Sequence, residues 1–181
     1  MPSGPVDVPG RQDHPSAAVG PTTPSFDRFQ ILALDGGGAK ALFTAQVLAR
    51  LEQDLDVSIK DSFDLIAGTS AGGIVALALG AGLTPSEIVE HYEELVEAVF
   101  PATRRRLWRR ARQLTAPIYD ADALRTALTK VLGERLLGDS AKRLVIPAWD
   151  VQRGAVHIFK TPHHKRLARD WRLSMVDIAM A

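Results

Sequence analysis

The amino-acid sequence predicts an α/β fold with a mostly parallel central sheet, and three observations carry the prediction. "ILAL" (Ile31 to Leu34) and the "LIAG" of "FDLIAG" are short apolar runs without alternation, as strands covered on both faces require. Each run ends in a glycine-rich turn, and each turn opens into a helical pattern. Strand, helix, strand, helix is the repeat that lays strands parallel in one sheet.

The elements follow in order. Residues 1–28 carry Pro, Ser, Gly and Thr without an apolar segment, so they read as a disordered leader and contain no signal peptide. The folded domain is expected over residues 29–181. After the first strand, "ALFTAQVLARLEQDL" sets Phe43, Val47, Leu51 and Leu55 four residues apart, the stripe an amphipathic helix turns to a core. "FDLIAG" is the second strand, and "AGGIVALALGAG" is apolar all round, hence a buried helix. "TPSEIVEHYEELVEAVF" begins with Thr84 as N-cap, Pro85 in the first turn and Glu87 three residues after the cap, a capping box. "DADALRTALTKVLG" is a helix capped by Asp120 and ended by Gly133. "RLVIPAWDV" and "AVHIFKT" are strands joined at Gln152-Arg153-Gly154, and "SMVDIAMA" starts a last helix.

Composition narrows the class. At 181 residues, 46% hydrophobic and 24% charged, the chain holds one domain with a real core. A net charge of +1 gives no bulk signal for nucleic acid. The absence of cysteine excludes disulfides and thiolate metal sites. Its most apolar segment, Ile74 to Leu83, is shorter than the roughly 20 residues a bilayer demands. A soluble, cytoplasmic protein is expected.

Two turns carry chemistry. Gly68-Thr69-Ser70-Ala71-Gly72 is a Gly-x-Ser-x-Gly turn between strand and helix, which would lift the Ser70 hydroxyl above the sheet edge. Glycines on either side let strand and helix pass closely, and the helix N-terminus adds partial positive charge. The same serine could simply cap the helix that follows. Asp35-Gly36-Gly37-Gly38-Ala39-Lys40 follows the first strand and can turn several N–H groups toward one point, a nest for an oxyanion or phosphate. A dinucleotide-binding turn is the weaker alternative, because Ala41 replaces its third glycine and neither Asp54 nor Asp56 closes a second strand. Together the turns supply a hydroxyl nucleophile and donors for the charge that its attack creates.

These residues resemble the patatin-like phospholipase family. "ILALDGGGAKALFTAQVLARLE" is similar to its opening strand, oxyanion loop and first helix, and "FDLIAGTSAGG" to its nucleophile turn. "LVIPAWDVQRGAVHIFKT" with the start of "SMVDIAMA" resembles bacterial members. Some relatives with a similar "FKT…HH" stretch are phospholipase effectors of nucleotide-triggered antiphage defence. The resemblance implies an α/β sandwich that hydrolyses phospholipid or other lipid esters by a Ser-Asp dyad without histidine, metal or organic cofactor. Ser70 would be the nucleophile, and the amides of Gly37 and Gly38, helped by Ala39 and Lys40, would line the oxyanion hole. The family's glycine is Ala41 here. Its basic aspartate lies in Asp-Gly-Gly or Asp-Gly-Ala downstream of the serine, and the only Asp-Gly in this chain is Asp35-Gly36. Asp120, Asp122, Asp139, Asp150, Asp170 and Asp177 lack that setting. The expectation is therefore the N-terminal part of a lipid acyl hydrolase, truncated before its base, the alternative being an inactive lipid-binding remnant.

Remaining features have plainer readings. Arg104 to Arg112 holds six arginines among nine residues, which suits either peripheral contact with anionic lipid or, more economically, a solvated face. His157, His163 and His164 lack acidic or cysteine partners at metal spacing, so no metal site is expected. A conventional triad of Ser70, Asp150 and His157 or His163 is formally available as the runner-up mechanism.

Overall fold

The computed structural model describes residues 28–99 and 121–181. All of the leader except Arg28, the arginine run and the Asp120 cap lie outside the described residues. β1 (Ile31–Leu34) leads through a 3-10 turn (Gly38–Lys40) straight into α1 (Ala41–Leu55). There follow α2 (Ile59–Ser62), β2 (Leu65–Gly68), α3 (Ala71–Gly80), α4 (Pro85–Val99) and α5 (Ala121–Leu132). β3 (Arg143–Asp150), β4 (Ala155–Lys160) and α6 (Met175–Met180) complete the order.

The four strands form one sheet in the order β1-β2-β3-β4. β1 and β2 are parallel, Ile31 facing Leu65 and Leu34 facing Gly68, and β3 continues parallel to β2. β4 returns antiparallel beside β3. The expected α/β class with a mostly parallel sheet is what the chain forms.

The core lies on one face of the sheet. Leu34, Ile66, Leu144 and Ile146 are buried there with Val75, Leu77 and Leu79 of α3, Leu128 and Leu132 of α5, and Met175, Val176 and Ile178 of α6. Nine of the ten residues of α3 are buried, so this helix is the centre of the domain and its near-uniform apolarity follows.

Two expectations fail. Among the described residues β1 is covered on one face only: Ile31 is 56% exposed. The register puts it on the same face as Trp149, Val156 and Ile158, which are also exposed among the described residues. The second failure concerns α1, where Phe43 is 70% exposed and Val47, Leu51 and Leu55 are exposed with it. The helix instead buries Ala41, Ala45, Leu48 and Ala49. Periodicity marks both stripes, and the small one wins because alanines let α1 lie close against α3 and α4.

The ends of the helices obey local chemistry. The Thr84 N–H donates to Glu87 Oε2 at 2.7 Å, and the Glu87 N–H donates to Thr84 Oγ1 at 3.3 Å. Gly133 stops α5 in the left-handed region at φ 62°. Hydrogen bonds from Thr84 hold the Glu87 carboxyl below its ordinary value of 4.5. A depressed folded value means the contribution is complete above the unfolded value and lost as pH falls through the folded one. In Glu87→Gln, the melting temperature should therefore fall less than the parent's between about pH 5 and pH 3; equal slopes would show the box contributes nothing.

Candidate active site

Parallel strands bring their carboxyl ends to one edge, where ligands bind in open α/β sheets. β1 and β2 end level, at Leu34 and Gly68. The glycine bend and the serine turn therefore emerge side by side. A methyl group built on Gly36 would sit 2.9 Å from Ser70 Cβ and 3.6 Å from its Oγ. Two hydrogen bonds lace the corners together: the Thr69 N–H donates to the Leu34 carbonyl at 3.2 Å, and the Gly36 N–H donates to Thr69 Oγ1 at 3.2 Å.

Ser70 occupies the N-cap position of α3, yet its side chain accepts no capping hydrogen bond. Its backbone sits at φ 52° and ψ −127°, a region that favours glycine. The residue is exposed, and the Ser70 carbonyl accepts from the Gly73 N–H at 2.8 Å. A serine needed only as a cap would use its hydroxyl, and this one does not.

Gly68 and Gly72 make the turn possible. A Cβ on Gly68 would lie 2.3 Å from the Gly72 carbonyl oxygen, and one on Gly72 would lie 2.3 Å from that of Leu34. Both contacts are backbone against backbone, so neither can yield by a rotamer change.

The donors of the bend can be sorted by what already binds them. Gly36 N–H is taken by Thr69, and Lys40 N–H donates to the Gly37 carbonyl at 3.2 Å. Lys40 thus drops out of the expected donor set. Gly37, Gly38 and Ala39 stand at the start of a helix, where N–H groups have no intrahelical acceptor. Gly38 has φ 57°. Ala41 is buried in ordinary right-handed helical geometry, so its methyl fills core space rather than distorting the bend.

Sequence reasoning missed two side chains here. One is the Thr69 hydroxyl as a brace. The other is Tyr92, whose hydroxyl donates to the Gly38 carbonyl at 2.7 Å across 54 residues of chain. Burial raises the Tyr92 phenol above its ordinary value.

Among the described residues, no carboxylate or imidazole hydrogen-bonds the Ser70 hydroxyl. The members of the runner-up triad are engaged elsewhere. Asp150 caps the β3–β4 turn through the N–H groups of Gln152 and Arg153, at 3.0 and 3.1 Å. His157 lies 3.6 Å from the buried Asp170, which also binds Arg169 at 2.9 Å, while His163 meets Thr161 at 3.1 Å. Asp139 accepts from the Leu136 N–H, and Asp177 pairs with Arg125. No group of three or more His, Asp or Glu side chains among the described residues could hold a metal. No helix among them is long and apolar enough to cross a membrane.

The domain thus sets a strained serine turn beside a glycine bend at one edge of an α/β sheet. The chain belongs to the patatin-like phospholipase family, whose model matches residues 32–181. It is 38% identical over 162 residues to a cGAMP-activated phospholipase of Escherichia coli (strain TW11681), covering 85% of this chain and 45% of that protein. It is 41% identical over 158 residues to a cGAMP-activated phospholipase of Pseudomonas aeruginosa (strain BWHPSA011 / Pa011), covering 84% and 46%. A patatin-like protein 1 of Oryza sativa subsp. indica is 33% identical over 154 residues, covering 78% and 37%. The chain thus spans about half the length of the bacterial relatives it matches.

Two pairs of variants test this geometry. Ser70→Gly relieves strain worth about 1–3 kcal/mol, less the added freedom of the unfolded chain, whereas Ser70→Ala relieves none. The glycine variant is expected to melt about 2–4 °C above the alanine variant; identical midpoints would mean that the elbow is unstrained. Gly72→Ala should be insoluble or lack a cooperative transition, while Gly37→Ala, whose Cβ meets nothing nearer than Lys40 Cβ at 3.4 Å, should fold. Circular dichroism melts of the pair decide it.

Proposed function

We propose that this chain supplies the nucleophile and the oxyanion hole of a lipid acyl hydrolase. The observation that supports the reading is the close approach of Gly36 to Ser70, where a Cβ would sit 2.9 Å from the serine's Cβ; the N–H groups of Gly37, Gly38 and Ala39, which follow Gly36 at a helix start, are the donors of this reading. Ser70 Oγ attacks the ester carbonyl carbon while its proton passes to a base. The carbonyl oxygen takes up negative charge against those amides, in the field of the α3 N-terminus. The C–O bond then breaks, the alcohol leaves with a proton, and water hydrolyses the acyl-serine. Donors fixed in advance strengthen their grip as the charge develops, which is why the bend accelerates the step rather than merely binding the ester. The phospholipase names of the bacterial relatives support a phospholipid ester as substrate. With such a substrate, contact of Arg104–Arg112 with anionic headgroups is part of the reading.

The proton acceptor is the missing part. The family resemblance assigns it to an aspartate in Asp-Gly-Gly or Asp-Gly-Ala, and no carboxylate of the described residues takes the role. With no such carboxylate at the serine, acylation would rely on solvent base. A fluorophosphonate probe should label Ser70 alone, with the rate rising about tenfold per pH unit through the alkaline range. An aspartate base inside the chain would instead give a plateau above its own pKa. Absence of labelling in a folded chain would leave the lipid-binding remnant as the better account.

A further inference from the structure

We propose that Tyr92 is a positioning residue for the oxyanion hole, acting through the Gly38–Ala39 peptide. The inference rests on the reading of the glycine bend as that hole.

Gly36 is tied to Thr69, and backbone bonds run from the Lys40 N–H to the Gly37 carbonyl and from the Ala41 N–H to that of Gly38. A Cβ built on Gly38 would find nothing within 4 Å, so nothing packs against its α-carbon. Consecutive glycines lose more conformational freedom on ordering than any other residues, so something must select one arrangement. Tyr92 is 4% exposed on α4, and its hydroxyl reaches the Gly38 carbonyl at 2.7 Å. The same carbonyl accepts the Ala41 N–H of the helix start. Burial keeps the phenol protonated, and therefore a donor.

Peptide geometry turns this tether into an orientation. There are no cis bonds among the described residues. In a planar trans peptide, C=O and the following N–H point in opposite directions. Anchoring the Gly38 carbonyl on the buried Tyr92 therefore turns the Ala39 N–H away from that side chain, and Ala39 is exposed in the bend whose Gly36 approaches Ser70. Tyr92 touches no substrate; it limits rotation of one donor.

Tyr92→Phe in the 181-residue chain removes the hydroxyl and keeps the ring. Phosphonylation of Ser70 by a fluorophosphonate develops charge on the oxygen that occupies the hole. Its maximal rate should drop about 10- to 100-fold with the half-saturating probe concentration unchanged. 4-Methylphenylalanine at position 92 fills the vacated volume and should show the same loss, which guards against a cavity or a folding defect. 4-Aminophenylalanine, which keeps a donor, should restore most of the rate. Hydrogen exchange of the Ala39 amide should quicken in the two donor-free variants, a readout independent of activity. Equal rates and equal exchange in all four proteins would overturn the role of Tyr92 while leaving Ser70 reactive. A parent chain that folds but is never labelled would overturn the oxyanion reading itself, and the positioning role with it.

Discussion

The geometry of the site depends on one close passage of backbone over backbone. The first turn of α3 crosses the ends of β1 and β2 so tightly that a methyl on Gly72 would sit 2.3 Å from the Leu34 carbonyl, and a methyl on Gly68 2.3 Å from that of Gly72. Because carbonyl oxygens cannot rotate away as side chains do, only glycine is admitted at both positions. The passage fixes the height of Ser70 above the sheet and brings it against Gly36. It also leaves the Thr69 N–H and hydroxyl within reach of the neighbouring corner, at 3.2 Å each.

Everything around the passage is arranged to keep it rigid. α3 is buried along nearly its whole length, and the left-handed backbone of Ser70 persists because that helix and β2 determine both ends of the turn. The strain is local and the restraint is distributed. α4 joins the same assembly through Tyr92, so a helix that looks like simple core cover also reaches the bend.

How much of this was legible follows from the range of each signal. Ser70 with its flanking glycines is one contiguous stretch and the triple-glycine bend another, and the parallel strands that align them announce themselves as unalternating apolar runs. The Thr84–Glu87 capping box and the β3–β4 hairpin are equally local and formed as read. Tyr92 was not legible, since its hydroxyl finds a partner 54 residues away and its side chain fits a helix pattern that explains it without chemistry. The orientation of α1 misled for another reason. Its large apolar stripe satisfies the helical period, but the period cannot tell which of two stripes faces the core, and alanines allowed the closer approach. Continuous apolarity in β1 likewise signals two faces that avoid water, although only one is covered among the described residues.

The bend of amides hangs from β1, and among the described residues β1 has a neighbouring strand on one flank only. Among the described residues its other flank is a sheet border, where main-chain groups can take a further strand. A polypeptide that bonded along that border would stiffen the strand up to Leu34 and, through it, the proposed donors that begin three residues later, at Gly37. On the proposed reading, reactivity would then answer to the side of the sheet, without any group touching Ser70.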